Sequence, residues 1–168
     1  MKINYCHLQL LLKIGCSLLL CMGIGSVFAS VTNAGSIEEQ NKAAIRRLID
    51  EIYHKGNMAV FDEIVAENAV LHDNERTTES LEMAKRQIRM VINMYRDIQI
   101  TIENVIAEGD IVAARSTFQG IFRQNGKKMT SPGLTMSRFK AGKIIEVWRA
   151  YDTANIFRQL GISPPPNQ

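Results

Sequence analysis

Cysteine is nearly absent from this chain: Cys6, Cys16 and Cys21 all precede Met22. The rest has no disulfide, no thiolate nucleophile and no Cys-ligated metal open to it. Histidine is scarce as well. Beyond His7 only His54 and His72 remain, with neither H-x-H nor H-E-x-x-H spacing, so a metal site would need carboxylate help. A P-loop, a G-x-G-x-x-G run, a G-x-S-x-G elbow and a Ser-His-Asp order are all missing, which argues against nucleotide use and hydrolase chemistry. No metal and no cofactor is expected. Nor does charge of one sign dominate. The formal net charge is +3, but Lys2 and Lys13 supply two of those charges. The remainder is close to neutral, with nothing that calls for nucleic acid or an anionic membrane as a partner.

The chain also lacks an apolar run long enough for a membrane span. From Ile14 to Phe28 it is uncharged and apolar, short of the roughly 20 residues a spanning helix needs. Lys2 and Lys13 stand before that run, and Val27-Phe28-Ala29 puts small residues at a cut. This is the pattern of a cleaved secretory signal. We expect a signal over residues 1–29, a tail over 30–36, one domain over 37–161 and a C-terminal tail over 162–168. The mature protein is then exported, periplasmic or secreted, and free of the membrane. All three cysteines leave with the signal, so the domain must be stable through its core alone.

What is present divides into two regimes. Ser36 with Glu39 forms a capping box, and Ile37, Ala44, Ile45, Leu48, Ile49 and Ile52 recur at helical spacing up to Gly56. A short second helix over 58–69 puts Met58, Phe61, Ile64 and Val65 on one face, and "AVLHD" reads as a short strand. A third helix over 77–95 carries Leu81, Ala84, Ile88, Val91 and Ile92. From Asp97 the period becomes two. Strands follow over "DIQITIENVIAE", "IVAARSTFQGIF", "KKMTSPGLTMSRFK" and "IIEVWRAYD". Asn125-Gly126 is a hairpin signal, and Pro132-Gly133 predicts a bulge or bend. "TANIFRQLG" closes the chain as a short helix. Helices followed by an antiparallel meander is an α+β pattern in a single domain. A long curved sheet around three N-terminal helices makes a cone whose wide end can hold an apolar pocket. The sheet's other face also carries apolar residues and predicts a homodimer.

The segments "YHKGNMAVFDEIVAENAVLHD", "IENVIAEGDIVAARSTFQG" and "SRFKAGKIIEVWRAYDTANIFRQLG" occur in one order. Together they resemble the SnoaL-like polyketide cyclase and ester cyclase family of the nuclear transport factor 2-like superfamily, over about residues 38–161. The resemblance implies a cone with an apolar pocket, often in a homodimer. It implies that an acidic residue ending the last strand takes a proton from an activated carbon, which is Asp152 by position. It also matches His72 to a histidine at the end of the first strand. One departure stands out. Family members commonly carry a histidine after the glycine matching Gly120, in a longer loop; here Phe122 occupies that place and the loop is a tight hairpin.

The residues themselves leave two readings of Asp152 open. Desolvated in an apolar cone, its carboxylate would be a competent base, with Trp148 and Ala150 on the same strand face by period two. Otherwise it N-caps the closing helix. His72, Tyr53 and Arg138 are candidate donors to an enolate oxygen, and Trp148 and Phe122 are candidate pocket wall. Arg138 has a second possible partner in Glu146, its neighbour across a hairpin. Met83, Met90, Met94, Met129 and Met136 are expected in core and pocket lining. The functions this supports are a cofactor-independent cyclase or isomerase acting on a small carbonyl compound, a non-catalytic binder of a hydrophobic small molecule, or a structural dimerisation module.

Overall fold

The computed structural model describes residues 35–163, and the expected signal lies outside them. Helix α1 spans Ile37–Leu48 and is capped at Ser36, whose Oγ accepts the Glu39 N–H at 3.4 Å. The reciprocal half of the capping box is not made, because the Glu39 carboxylate pairs with Lys42 instead. Over Ile49–His54 the helix widens into a π turn, with Lys55 N–H bonded to the Asp50 carbonyl. The widening directs Ile52, fully buried, and Tyr53 into the interior. It also brings the His54 ring to the sheet edge, where Nε2 accepts the Ile100 N–H at 3.0 Å.

Helix α2 is shorter than the apolar spacing predicts, Ala59–Ile64, because strand β1 begins at once and runs Val65–Asp73. Strand β2, Arg76–Thr78, then pairs back on β1. These three residues were expected at or just before the start of the third helix. Tertiary pairing with β1 overrides their weak helical bias, and α3 starts only at Leu81, capped by Ser80, and ends at Met94. The methionines of this helix are a second correction. Met83, Met90 and Met94 are exposed, since Ala84 and Ile88 form the inward stripe and these three stand on the other side; Met129 alone of the five expected is buried.

Strands β3 (Tyr95–Glu108), β4 (Ile111–Phe122), β5 (Lys128–Lys140) and β6 (Lys143–Tyr151) form the expected antiparallel meander. The complete sheet has the order β2-β1-β6-β5-β4-β3 and is mixed rather than purely antiparallel, because β1 runs parallel to β6. It is an open, curved sheet with helices on one face. No register shift occurs at Pro132-Gly133; the β4–β5 ladder is continuous through them. Proline is tolerated there because β6 has ended. Gln159 of helix α4 (Thr153–Leu160) takes over the open edge, exchanging two 2.9 Å bonds with the Thr130 backbone. Gly161, at φ +67°, closes α4 by carrying the chain into the left-handed region.

The helix-covered face of the sheet supplies Leu71, Val112, Phe139 and Ile144 to a core with Ile45, Ile52, Phe61, Ile64 and Ile88. A second cluster of Tyr95, Phe122, Met129 and Leu160 closes the end under α4. Ile52→Ala is expected to cost about 2–5 kcal/mol, because the side chain is fully buried in the core. Urea denaturation checks it; a loss under about 1 kcal/mol would show that the site relaxes.

Candidate functional site

Successive residues of β6 point to opposite faces of the sheet, so each strand divides its functional side chains. Val147 faces the helices with Leu71. Trp148 faces the other way, with His72 beside it in register. The expected site residues are therefore not all brought together.

On the helix-free face Trp148 stacks on His72, with ring centroids 5.6 Å apart at 12°. The Arg138 guanidinium lies 5.1 Å from the indole centroid. Glu146 joins the two: one oxygen meets His72 Nε2 at 3.1 Å, and the other accepts from Arg138 Nη1 at 2.7 Å. His72 Nδ1 also meets Thr77 Oγ1 at 3.2 Å. The array borders an open trough of about 550 Å³, whose lining includes His72, Ile106, Ala113, Leu134, Met136, Trp148 and Ala150. Ile106, Leu134 and Met136 are 71%, 60% and 40% exposed. This is an apolar surface with a polar aromatic border, not an enclosed cavity under a carboxylate.

On the helix-covered side, parallel pairing of β1 with β6 sets Asp73 opposite Arg149. Arg149 Nη2 donates to Asp73 Oδ2 at 2.7 Å, while Nε and Oδ1 lie in charge contact without a hydrogen bond between them. Both side chains are mostly buried, 15% and 24% exposed. Burial opposes the guanidinium's charge, and the carboxylate of Asp73 beside it favours that charge. Tyr53 packs between the two core clusters, and burial pushes its phenol up. Burial raises Tyr151 in the same way, with the charge of Asp73 adding to it. Both phenols are therefore neutral O–H groups through the physiological range. Phe122, 5% exposed, is packed on Tyr95 with centroids 5.6 Å apart.

Asp152 stands where β6 passes into α4. Its Oδ1 accepts the Asn155 N–H at 2.8 Å, and the residue is exposed. Asn74 secures this junction from the β1–β2 turn, bonding the Tyr151 backbone through both amide atoms and the Thr153 hydroxyl. No hydrogen bond among the described residues engages Asp152 Oδ2.

The sequence reading overlooked Asp73 and Arg149. Period two does place Arg149 on the face opposite Trp148, but only a parallel β1–β6 pairing, which no local signal announces, supplies Asp73 as its partner. Glu146 was visible as the cross-hairpin neighbour of Arg138; its bond to His72 again needs β1.

An open curved sheet of six strands with helices on one face is the nuclear transport factor 2-like architecture, and solved structures agree. The chain is similar to a candidate SnoaL-like polyketide cyclase from Jannaschia sp. CCS1, with TM-score 0.69 and 22% identity over 77% of this chain and 97% of that one. It is similar to IdmH, a candidate polyketide cyclase from Streptomyces antibioticus, with TM-score 0.63 and 24% identity over 73% and 99%. A protein with a ketosteroid isomerase-like fold from Catenulispora acidiphila DSM 44928, solved with trimethylamine, gives 0.63 at 16% identity over 71% and 93%. These likenesses concern the fold. No curated protein sequence matches the chain. The family model for SnoaL-like polyketide cyclases matches residues 43–160, and the chain belongs to that family. Membership supports a function of cyclase or isomerase type in general terms, and the family generally binds small hydrophobic ligands.

Removing one partner of the internal ion pair strands the other. Arg149→Met is expected to lose roughly 2–3 kcal/mol, less than the loss for a fully buried pair because Asp73 keeps some solvent. The double variant Asp73→Leu/Arg149→Met should recover most of it. Denaturation of the three proteins decides the point: a single variant as stable as the parent would show that the pair is not a structural tie.

Proposed function

We propose that the protein is an exported, cofactor-independent catalyst of cyclase or isomerase type, acting on a small carbonyl compound with Asp152 as the base. The observation that carries this reading is the uncommitted Oδ2 of Asp152 at the end of β6, the position the sequence resemblance gave to an acidic base. One oxygen is held by a helix amide, so the carboxylate is oriented while the other oxygen can accept a proton from carbon. A bound ligand that excludes water from the carboxylate would make it a stronger base. Of the expected enolate donors, His72 and Arg138 are engaged by Glu146. Tyr53 is the one on the helix-covered side, and its neutral phenol, with that of Tyr151, suits donation to a developing oxyanion.

The capping role makes the test clean. Asparagine caps a helix as well as aspartate does, whereas alanine does not. Asp152→Asn should fold with parental stability yet lose about 100-fold or more in catalysed exchange. The measurement is deuterium uptake at the α-carbon of small ketones and β-keto esters, followed by NMR. Asp152→Ala should lose the same activity and about 1 kcal/mol of stability besides. Parental exchange by Asp152→Asn would remove the base. A saturable ligand recovered unaltered would then favour a non-catalytic binder.

The helix-free trough supports a second component of the reading, a homodimer joined through that face. Ile106, Leu134 and Met136 are too exposed and too close together for a surface that water alone covers. Leu134→Glu with Met136→Glu should convert a dimer to a monomer in sedimentation velocity without loss of fold. A parent that sediments as a monomer at micromolar concentration would exclude this face as a stable interface.

A further inference from the structure

Three elements end together at one end of the molecule. The Arg123 N–H bonds the Met94 carbonyl at 2.9 Å, which joins the β4–β5 hairpin to the end of α3. Asn125 Nδ2 donates to the Leu160 carbonyl at 2.8 Å, which joins the same hairpin to the end of α4. The segments that meet there, 89–98, 121–130 and 153–162, carry Arg89, Arg96, Arg123, Lys127, Lys128 and Arg158 against a single acid, Asp97. All six cations are exposed. Arg96 is paired with Asp97, and the other five form no ion pair among the described residues. The acids of the π turn, which meets β3 at Ile100, are both held by Lys55. The carbonyl ends of α3 and α4 favour a cation each, which leaves most of the six without a structural purpose.

We propose that this end of the molecule docks on an anionic lipid bilayer. Composition alone did not suggest such a partner, because the charges of the domain nearly balance; folding gathers the cations at one end. Met90 and Met94 stand exposed beside them, at 56% and 37%, since Ala84 and Ile88 form the inward stripe of α3. The cations meet the headgroup phosphates, and the two thioether chains enter the boundary with the acyl chains. The long stems of Lys and Arg let their charges stay at the phosphates while the methionines sit deeper. A nucleic acid would meet the same charge, but it would call for aromatic platforms on which bases stack. The aromatic rings at this end, Tyr95 and Phe122, are buried.

The test is flotation of the protein, recovered after export, with vesicles of phosphatidylcholine alone or of phosphatidylcholine mixed with phosphatidylglycerol. Parent and variants share whatever leader they retain, so its contribution cancels. The parent should bind the anionic vesicles and not the neutral ones, and about 0.5 M salt should release it. Lys127→Glu with Lys128→Glu should weaken binding at least about tenfold. Both side chains are exposed and make no hydrogen bond or ion pair among the described residues, so the fold should persist. Lys140→Glu, the same change at the far end of β5, should leave binding as it was. Met90→Ser with Met94→Ser should weaken it about fivefold. Equal binding to both kinds of vesicle, or an equal loss from Lys140→Glu, would overturn the surface. Undiminished binding by the methionine variant would overturn it too, in favour of a general polyanion site such as one for nucleic acid. None of these readouts depends on Asp152 or on catalysis.

Discussion

The parallel pairing of β1 with β6 is the contact on which the rest of the structure turns. Among the described residues it is the only parallel join in the sheet, and it attaches the helical half of the chain to the strand half. Everything characteristic of the two faces follows from its register. His72 meets Trp148 on one side, and Asp73 meets Arg149 on the other, because neighbouring residues of both strands alternate in step. A slip of one residue would exchange the faces, stranding a buried guanidinium and exposing Leu71. The Asp73–Arg149 ion pair therefore does more than stabilise: it makes wrong registers costly.

The sheet also acts as a partition. Under the helices lie the ion pair and the desolvated phenol of Tyr53; on the open face lie a stacked indole, an imidazole and a guanidinium joined by Glu146. Side chains close in sequence are thus kept apart in function. Asp152 escapes this division because it follows the last paired residue of β6, where α4 begins. Its two oxygens can serve two purposes, one structural and one chemical. An aspartate cap at the base's position keeps the carboxylate in one orientation, and the Asn74 bonds to the strand–helix junction keep that orientation steady.

Much of this was readable in advance. The change of period at Asp97, the Asn125-Gly126 hairpin, the Gly161 stop and the Ser36 cap are local signals, and each rests on steric or hydrogen-bonding rules within a few residues. The Arg138–Glu146 pair was also expected across the hairpin, although the two-residue turn alone would oppose Arg138 to Ile145; an irregularity of the ladder between Arg138 and Phe139 moves Glu146 into place. The errors share one cause. Residues 65–68 looked helical and became strand, and residues 76–78 lay at the expected third-helix start and became β2, because pairing partners distant in sequence offered better hydrogen bonds. Trp148 was weighed between core and pocket wall; it lines the open trough on the helix-free face, since period two shows which residues share a face but not which face receives the helices. The α3 methionines were expected inside because their apolar character was weighed without knowing which stripe of the helix is inward.

By itself, then, the sequence determined the order and nature of the elements, the family, and the position of Asp152 at a strand–helix junction. Those depend on local periodicity, capping and turn chemistry. Only the tertiary structure decided which face of β6 lies beneath the helices, which acid pairs with Arg149, and that Asn41 is buried. Those depend on pairing across long chain separations, where the partner of each backbone edge is chosen by the burial and charge of the whole assembly rather than by its neighbours in sequence.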